Sequence, residues 1–510
     1  MVSSFCWSCL TQLRQTPRTI LPSPTTVTVP RSAAFHTSAI LNAPLMKKKS
    51  NSQDTGPKFR ETRSMKPSKQ KKRATERVRP PAPGERKALR KRIVLSNPNA
   101  LEVQGMLELN SETMVDSRLR GSVLALPVPM IDQLRAVQAF KPTQGWSIFR
   151  RPGTVLRRET LEMGRFFDSI SGEGEGKGSV VKRIITGPTK TGKTVHLLQA
   201  MAMAFTKEWL IVTIPEAQEL VSGHTGYAPL SEEEPNLYVQ NQATVALLSR
   251  TANANKKVLS KFQVSQQHPD LPAVKPGMTL EALANVGVQD HANAWPVFQA
   301  LWTELTATSA APGLEANFKP RPPMLVTVDG LGHWMQKSAY RNRNHELIHA
   351  HDLVFVRHFL NLLKPGIGKP TLPNGGALLY STAGSNHPSI PAFEVAIKQV
   401  AARHAGVDPS SPEFPLPRAY SYPDPRIIES FNFPTPTAAK EGMLSVQEIG
   451  GLTKDEARGF LEYFALSGLL RETVTDEWAS EKWTLSGGGV IGELEKLGKR
   501  VRVVSATATA

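Results

Sequence analysis

The feature that most constrains this chain is an eight-residue loop that matches the phosphate-binding pattern G-x-x-x-x-G-K-[ST]. Its residues are, in order, Gly187, Pro188, Thr189, Lys190, Thr191, Gly192, Lys193 and Thr194. A run of β-branched residues precedes the loop, at 180–185, and a helical pattern follows it, at 195–204. This order of strand, loop and helix is the context in which the pattern indicates phosphate binding.

The roles of the loop residues follow from the chemistry of phosphate. The glycines let the backbone wrap with its N–H groups pointing inward, and the N-terminus of the following helix favours an anion. Lys193 is then predicted to reach the β- and γ-phosphates, and Thr194 to place its hydroxyl on Mg²⁺. The whole loop, residues 187–194, is therefore predicted to bind a nucleotide.

Three further apolar segments, at 209–214, 324–329 and 377–382, are predicted to be buried strands. Each is bounded by turn residues, and helical stretches lie between them. Continuous apolar strands that alternate with helices are typical of a parallel sheet covered on both faces. The predicted fold class is α/β, a P-loop NTPase sheet with a small, mostly helical C-terminal domain and a disordered basic N-terminus.

Three polar residues at the ends of these strands complete the predicted site. Asp329 closes one strand, where a carboxylate would complete the Mg²⁺ site together with Thr194. Ser381 or Thr382 ends another strand and is predicted to sense the γ-phosphate, although strand-end residues often serve only as turns. The residue after Asp329 is Gly330, where many P-loop ATPases have a glutamate, so slow or no hydrolysis is expected.

The first 53 residues contain no Asp or Glu but include Arg14, Arg18 and Arg31 and many Ser and Thr. This composition predicts a mitochondrial transit peptide over 1–42, the alternative being an ordinary disordered N-terminus. Cys6 and Cys9 both lie in this segment, so a processed chain would contain no cysteine and no disulfide. We expect the protein in the mitochondrial matrix.

The segment 43–93 is predicted to be a disordered basic tail. Between residues 47 and 92 there are eighteen Lys and Arg against four acidic residues, a net charge of +14 out of +18 for the whole chain. So few apolar residues cannot form a core, and such tails bind RNA by neutralising phosphates. A solubilising tail or a nuclear-type basic signal remains the alternative.

The rest of the chain is predicted to contain four parts. An N-terminal arm at 94–175 leads into the P-loop core at 176–405, and an irregular connector with eight prolines follows at 406–437. The last part, 438–510, contains a predicted helix at 454–470 that begins with Thr453 and Glu456 as a capping box. No segment is apolar for long enough to predict a membrane span.

A competing motif occurs at His345-Glu346-Leu347-Ile348-His349, which matches the H-E-x-x-H pattern of zinc proteases. On a helix this spacing would place two imidazoles on one face for zinc, with Glu346 as general base. The residues that follow give no further zinc ligand of the metzincin type. Solvated or RNA-facing histidines are the preferred interpretation.

Taken together, these residues resemble the death-associated protein three family, the P-loop protein of the mitochondrial small ribosomal subunit. The resemblance covers about 130–500 and is carried by 146–149, 152–160, 186–194, Tyr227, Pro229, Leu237, Tyr238, Asn253, 328–330 and 349–353. It implies an AAA+-like domain that binds a guanine nucleotide, GTP or GDP, although the motifs themselves do not choose between ATP and GTP.

The resemblance also implies a function and partners. We expect a structural constituent of the mitochondrial small ribosomal subunit that contacts ribosomal RNA through the basic tail and contacts other mitochondrial ribosomal proteins. The alternative is a free mitochondrial P-loop NTPase that acts in assembly or remodelling, which would share the loop and the transit peptide.

Overall fold

The structure is a computed structural model that describes residues 93–172, 177–365, 371–382, 388–418, 423–433, 442–470 and 472–499. Within these residues the strands are β1 Val123–Ala125, β2 Gly153–Val155, β3 Val180–Thr186, β4 Leu210–Ile214, β5 Ala228–Pro229, β6 Tyr238–Val239, β7 Met324–Asp329, β8 Lys337–Arg341, β9 Leu347–His349, β10 Gly376–Ser381 and β11 Leu444–Glu448. The predicted transit peptide and all but the last residue of the predicted basic tail lie outside the described residues.

The helices alternate with the strands along most of the chain. They are α1 Val128–Ala136, α2 Arg158–Ser171, α3 Lys193–Thr206, α4 Asn241–Ala254, α5 Lys256–Leu259, α6 Leu280–Gln289, α7 Ala294–Leu305, α8 Val354–Leu363, α9 Pro391–Ala405, α10 Pro425–Phe431, α11 Lys454–Leu466, α12 Asp476–Leu485 and α13 Ile491–Gly498.

A five-stranded parallel sheet of order β11-β3-β10-β7-β4 organises the fold. The four strands predicted from apolar runs are all in it, with bounds within one residue of those expected. Parallel strands need helical crossovers, and the helices between them supply these. The predicted α/β class with a parallel P-loop sheet is confirmed.

Two apolar clusters cover the two faces of the sheet, because successive strand residues point to opposite sides. Along β4, Leu210 and Val212 belong to one cluster, and Ile211 between them belongs to the other. The second cluster also holds Trp146 and Phe167 from the region predicted as an arm. This arm therefore packs on the sheet as part of its core.

The strand β11 corrects the predicted organisation of the C-terminal part. The division at residue 438 assigned this segment to a separate domain, but β11 pairs in parallel with β3 and forms the edge of the main sheet. Beyond it, the predicted capping box is confirmed at Thr453 and Glu456, and α11 ends at Leu466 instead of residue 470. The other predicted boundaries between the four parts stay predictions.

The prediction of an irregular connector is wrong for residues 425–431, which form α10. Asp424 caps this helix by accepting a hydrogen bond from the backbone N–H of Arg426. Pro425 occupies the first helical position, where a proline has no hydrogen bond to lose. Proline content alone therefore does not exclude a helix that begins at the proline.

No helix in the described parts of the chain is long and apolar enough to cross a membrane.

Candidate nucleotide-binding site

The predicted phosphate-binding loop lies between β3 and α3, at the carboxyl edge of the sheet. Gly187 has φ 132° and Gly192 has φ 96°, both in the region that favours glycine. A Cβ atom at Gly187 would lie 2.2 Å from the carbonyl oxygen of Ile449, so a side chain cannot fit there. The two glycines are thus required by the path of the loop and by its contact with the segment after β11.

The ammonium group of Lys193 faces the inside of the loop. It donates hydrogen bonds to the carbonyl oxygens of Gly187 at 2.7 Å and Pro188 at 2.6 Å. The hydroxyl of Thr191 donates to the same Pro188 carbonyl at 3.0 Å. Burial lowers the pKa of Lys193, and the negative charge of Asp329 opposes that shift. The side chain is therefore placed where the sequence predicts a phosphate-facing cation.

Three predicted site residues that are far apart in sequence meet at one point. The carboxylate of Asp329 accepts a hydrogen bond from the hydroxyl of Thr194 at 2.9 Å and another from the hydroxyl of Ser381 at 2.5 Å. Burial raises the pKa of the Asp329 carboxyl, while the hydrogen bond from Ser381 opposes the shift. A divalent cation at this point would stabilise the ionised carboxylate.

Thr382 comes directly after Ser381, the last residue of β10, and its polar groups face β3. Its backbone N–H donates to the carbonyl of Ile185 at 2.9 Å, and its hydroxyl faces the same oxygen at 3.4 Å. Of the two residues predicted to sense a γ-phosphate, Ser381 is thus the one that contacts Asp329. The position of Thr382 agrees with a strand-end role, and its phosphate role stays a prediction.

The donor set at this site fits a nucleotide with Mg²⁺. Hydroxyl and carboxylate oxygens, as supplied by Thr194 and Asp329, are the ligands that Mg²⁺ prefers. Gly192 precedes α3 and has no side chain to cap it. The first N–H groups of that helix can therefore bind phosphate oxygens, with the ammonium of Lys193 beside them.

Arg157 is a buried residue of this site to which the sequence assigned no role. Its guanidinium donates to the carbonyl of Thr191 at 2.9 Å and to that of Gly450 at 3.0 Å, and it lies 3.3 Å from the carboxylate of Glu159. Burial lowers the pKa of Arg157, and Glu159 opposes the shift. One side chain thus joins the loop to the segment after β11.

The N-terminus of α13 also contacts the loop. The ammonium of Lys190 lies 2.8 Å from the carboxylate of Glu493, and the backbone N–H of Gly492 donates to the Lys190 carbonyl at 3.1 Å. Lys190 has φ 64°, so the loop turns at a residue with an unusual backbone conformation. Contacts from α13 therefore hold the outer part of the loop.

The zinc-protease alternative fails on local geometry. His345, with φ 63°, lies in the turn before β9, and His349 ends β9, so the motif is not on a helix and its imidazoles do not share one face. The Nδ1 atom of His349 accepts a hydrogen bond from the backbone N–H of His351 at 3.1 Å. No group of three or more potential ligands that could hold a metal ion occurs among the described residues.

Comparison with known proteins identifies the family. The model of the family described as mitochondrial ribosomal death-associated protein 3 matches residues 154–497. The chain belongs to this family. A Neurospora crassa protein, small ribosomal subunit protein mS29, is 41% identical over 427 residues, which are 84% of this chain and 84% of that protein. The resemblance predicted from the sequence is confirmed, and the chain is a mitochondrial ribosomal protein by family.

Among the solved structures that match is the Walker-type ATPase PABY2304 of Pyrococcus abyssi. It has 14% sequence identity and a TM-score of 0.30, and the match covers 67% of this chain and 68% of the ATPase chain. The order and register of the parallel strands define the fold independently of this likeness.

Proposed function

We propose that the protein is a structural constituent of the mitochondrial small ribosomal subunit and that its loop holds a purine nucleotide, GTP or GDP, with Mg²⁺. The name of the Neurospora crassa relative supports the first part. The single observation that supports the second is the meeting of Thr194, Asp329 and Ser381 at one point, beside the ammonium of Lys193.

In this proposal each side chain has a distinct task. Lys193 leaves the loop carbonyls and pairs with phosphate oxygens, and the Thr194 hydroxyl and Asp329 carboxylate hold the cation. Bound Mg²⁺ neutralises phosphate charge. Gly330 carries no carboxylate to polarise water, so the nucleotide acts chiefly as a structural brace and hydrolysis is slow.

Nucleotide binding is tested by extracting ligand from the purified full-length protein and by calorimetric titration with GDP, GTP, ADP and ATP in Mg²⁺. Lys193→Met and Thr194→Val are expected to abolish binding. Lys207→Met and Thr206→Val are matched controls at the other end of the same helix, 18% exposed and half-buried respectively, and should bind as the wild type does. Equal binding by Lys193→Met and the wild type would contradict the proposal.

The ribosomal role is tested by sedimentation of a mitochondrial lysate on a sucrose gradient. A structural constituent comigrates with small subunits in stoichiometric amount, whereas a free P-loop NTPase remains near the top of the gradient. Turnover by the purified wild type of about 1 s⁻¹ or faster would favour the NTPase, since that lies within the usual range of enzymes. Slow phosphate release together with comigration would support the proposal that the nucleotide has a structural role in the small subunit.

The basic segment 47–92 is proposed to contact the ribosomal RNA, while the remaining body contacts mainly proteins. Its net charge of +14 supports this, because phosphate contacts make affinity fall steeply with salt concentration. Deleting 47–92 should flatten the salt dependence of RNA association and leave nucleotide binding intact. If the deletion leaves RNA association and its salt dependence unchanged, the segment is a solvated tail that does not bind the RNA.

A further inference from the structure

A charged pair lies at the carboxyl end of β4, outside the set of residues described above. The ammonium of Lys141 donates to the carbonyl of Pro215 at 2.6 Å and to the carboxylate of Glu216 at 3.1 Å. Lys141 follows α1, and Glu216 comes two residues after β4 ends. The pair therefore joins the N-terminal region to the edge of the sheet where strand ends form the site.

The strand register places this pair next to Asp329. In the parallel pairing of β4 with β7, Ile214 lies opposite Val328, so the chain after Ile214 runs beside the residues that follow Val328. A Cβ atom built on Gly330 would lie 3.6 Å from the Cβ of Ala217, which confirms the closeness of the two chain segments. The charge of Lys141 lowers the pKa of Asp329 and that of Glu216 raises it.

Lys141 is held by a packed turn. Its backbone N–H donates to the side-chain oxygen of Gln144 at 2.8 Å, and the indole N–H of Trp146 donates to the same oxygen at 2.5 Å. Trp146 packs edge-on against Phe140, with ring centroids 5.1 Å apart. The side chain of Lys141 is 15% exposed, whereas that of Glu216 is 52% exposed. The cation is thus fixed in place, and its partner can move.

The topology of the sheet indicates which part of a nucleotide would approach this pair. The loop follows β3 and wraps the phosphates nearest to it, while β7, which ends at Asp329, lies beyond β10, and β4 lies beyond β7. A triphosphate extends one phosphate further from the loop than a diphosphate does. That last phosphate is the group that can reach the ends of β7 and β4.

We propose that Lys141 and Glu216 distinguish a triphosphate from a diphosphate in this site. Lys141 attracts the terminal phosphate, and Glu216 holds the ammonium in position when that phosphate is absent and repels the phosphate when it is present. This inference rests on the proposed nucleotide binding and adds to it the residues that select the phosphorylation state.

The test measures the dissociation constants of GDP and of the β,γ-imido analogue of GTP by calorimetry, with Mg²⁺ and the full-length protein. Lys141→Met should weaken binding of the analogue about tenfold and change GDP binding less than about threefold, because a partly screened charge acts on the nearer phosphate. Glu216→Gln should strengthen binding of the analogue and leave GDP unchanged. Lys207→Met is the matched control, because Lys207 forms an ion pair with Asp168 at the opposite end of α3.

Each outcome bears on the proposal. Equal effects of Lys141→Met on the two nucleotides, or weaker analogue binding by Glu216→Gln, would overturn it while leaving nucleotide binding intact. A wild type that binds neither nucleotide would overturn this inference and the proposed function together. Thermal melting of the ligand-free variants reports folding, and the exposed Glu216→Gln change keeps the test decisive if Lys141→Met does not fold.

Discussion

Replacing Arg157 with methionine tests whether the phosphate-binding loop depends on contacts with distant parts of the chain. Arg157 is 5% exposed, and its guanidinium donates to the Thr191 carbonyl at 2.9 Å and the Gly450 carbonyl at 3.0 Å. Methionine preserves most of the side-chain volume but removes both hydrogen bonds and the nearer cation of Glu159, at 3.3 Å, and leaves that carboxylate only Arg158, at 3.9 Å. Stability and nucleotide affinity should fall together.

The expected loss follows from the number of bonds. A hydrogen bond from a charged donor contributes about 1.5–3 kcal/mol, so the two short bonds are worth about 3–6 kcal/mol before desolvation. Burial of the guanidinium disfavours its charge, as its lowered pKa indicates. Removing one partner of a buried ion pair costs about 3–5 kcal/mol in general. We therefore expect the free energy of unfolding to fall by about 3–5 kcal/mol in Arg157→Met.

The assay is urea denaturation of the ligand-free protein, followed by calorimetric titration with GDP and Mg²⁺. Arg158→Met is the matched control, because this neighbouring side chain is 66% exposed and lies 3.5 Å from the carboxylate of Glu162, which is 51% exposed. Such a surface pair contributes about 0–1 kcal/mol. A loss in Arg157→Met no larger than that in Arg158→Met would refute the reasoning.

Three further predictions concern a buried lysine of the sheet and two residues at the end of β7. Lys182 is buried in β3, and burial lowers its pKa from 10.5 to about 8. Between pH 8 and 10.5 the unfolded chain therefore binds one more proton than the folded protein does. Denaturation at several pH values should show the stability of the wild type, relative to Lys182→Met, rising across that window by up to about 3 kcal/mol. Asp329→Asn should abolish Mg²⁺-dependent nucleotide binding in calorimetry yet leave the ligand-free melting temperature undiminished, because burial raises the pKa of this carboxyl and the native state gains nothing from its charge. Gly330→Ala should lower the free energy of unfolding by about 1–2 kcal/mol, since Gly330 has φ 95°; unchanged stability would show that the turn adapts.

The parts of the site that the sequence predicted are those with a local signature. The loop at 187–194 could be predicted because its pattern and its flanking strand and helix lie within one short segment. Asp329 could be placed because parallel strands bring their carboxyl ends to one edge of a sheet, so the end of an apolar run has a known location. The hydrogen bond from Thr194 to Asp329 is the result that this reasoning expects.

The contacts that sequence reasoning missed join residues that are far apart in the chain. Arg157 contacts Gly450, and Lys190 contacts Glu493, pairs about 300 positions apart, for which the chain shows no periodic or motif signal. The zinc motif, which the sequence analysis did not favour, shows how a local pattern can match without its structural context. The side chain of Asn342 accepts hydrogen bonds from the backbone N–H groups of Asn344 and Glu346, and these bonds stabilise a turn where the motif requires a helix.

The lack of a carboxylate directly after Asp329 also has a physical cause. Gly330 adopts φ 95°, and a side chain there would contact the ring of His333 and the Cβ of Ala217, so a glutamate at this position would be strained in itself and crowded by its neighbours. The fold instead presents the carboxylate of Glu216, from the segment that follows the adjacent strand β4, and pairs it with Lys141. A carboxylate held by an ammonium group is a weak base for polarising water. In the proposed site, the same geometry that closes position 330 to glutamate therefore favours retention of a nucleotide over its turnover, as the proposed structural role requires.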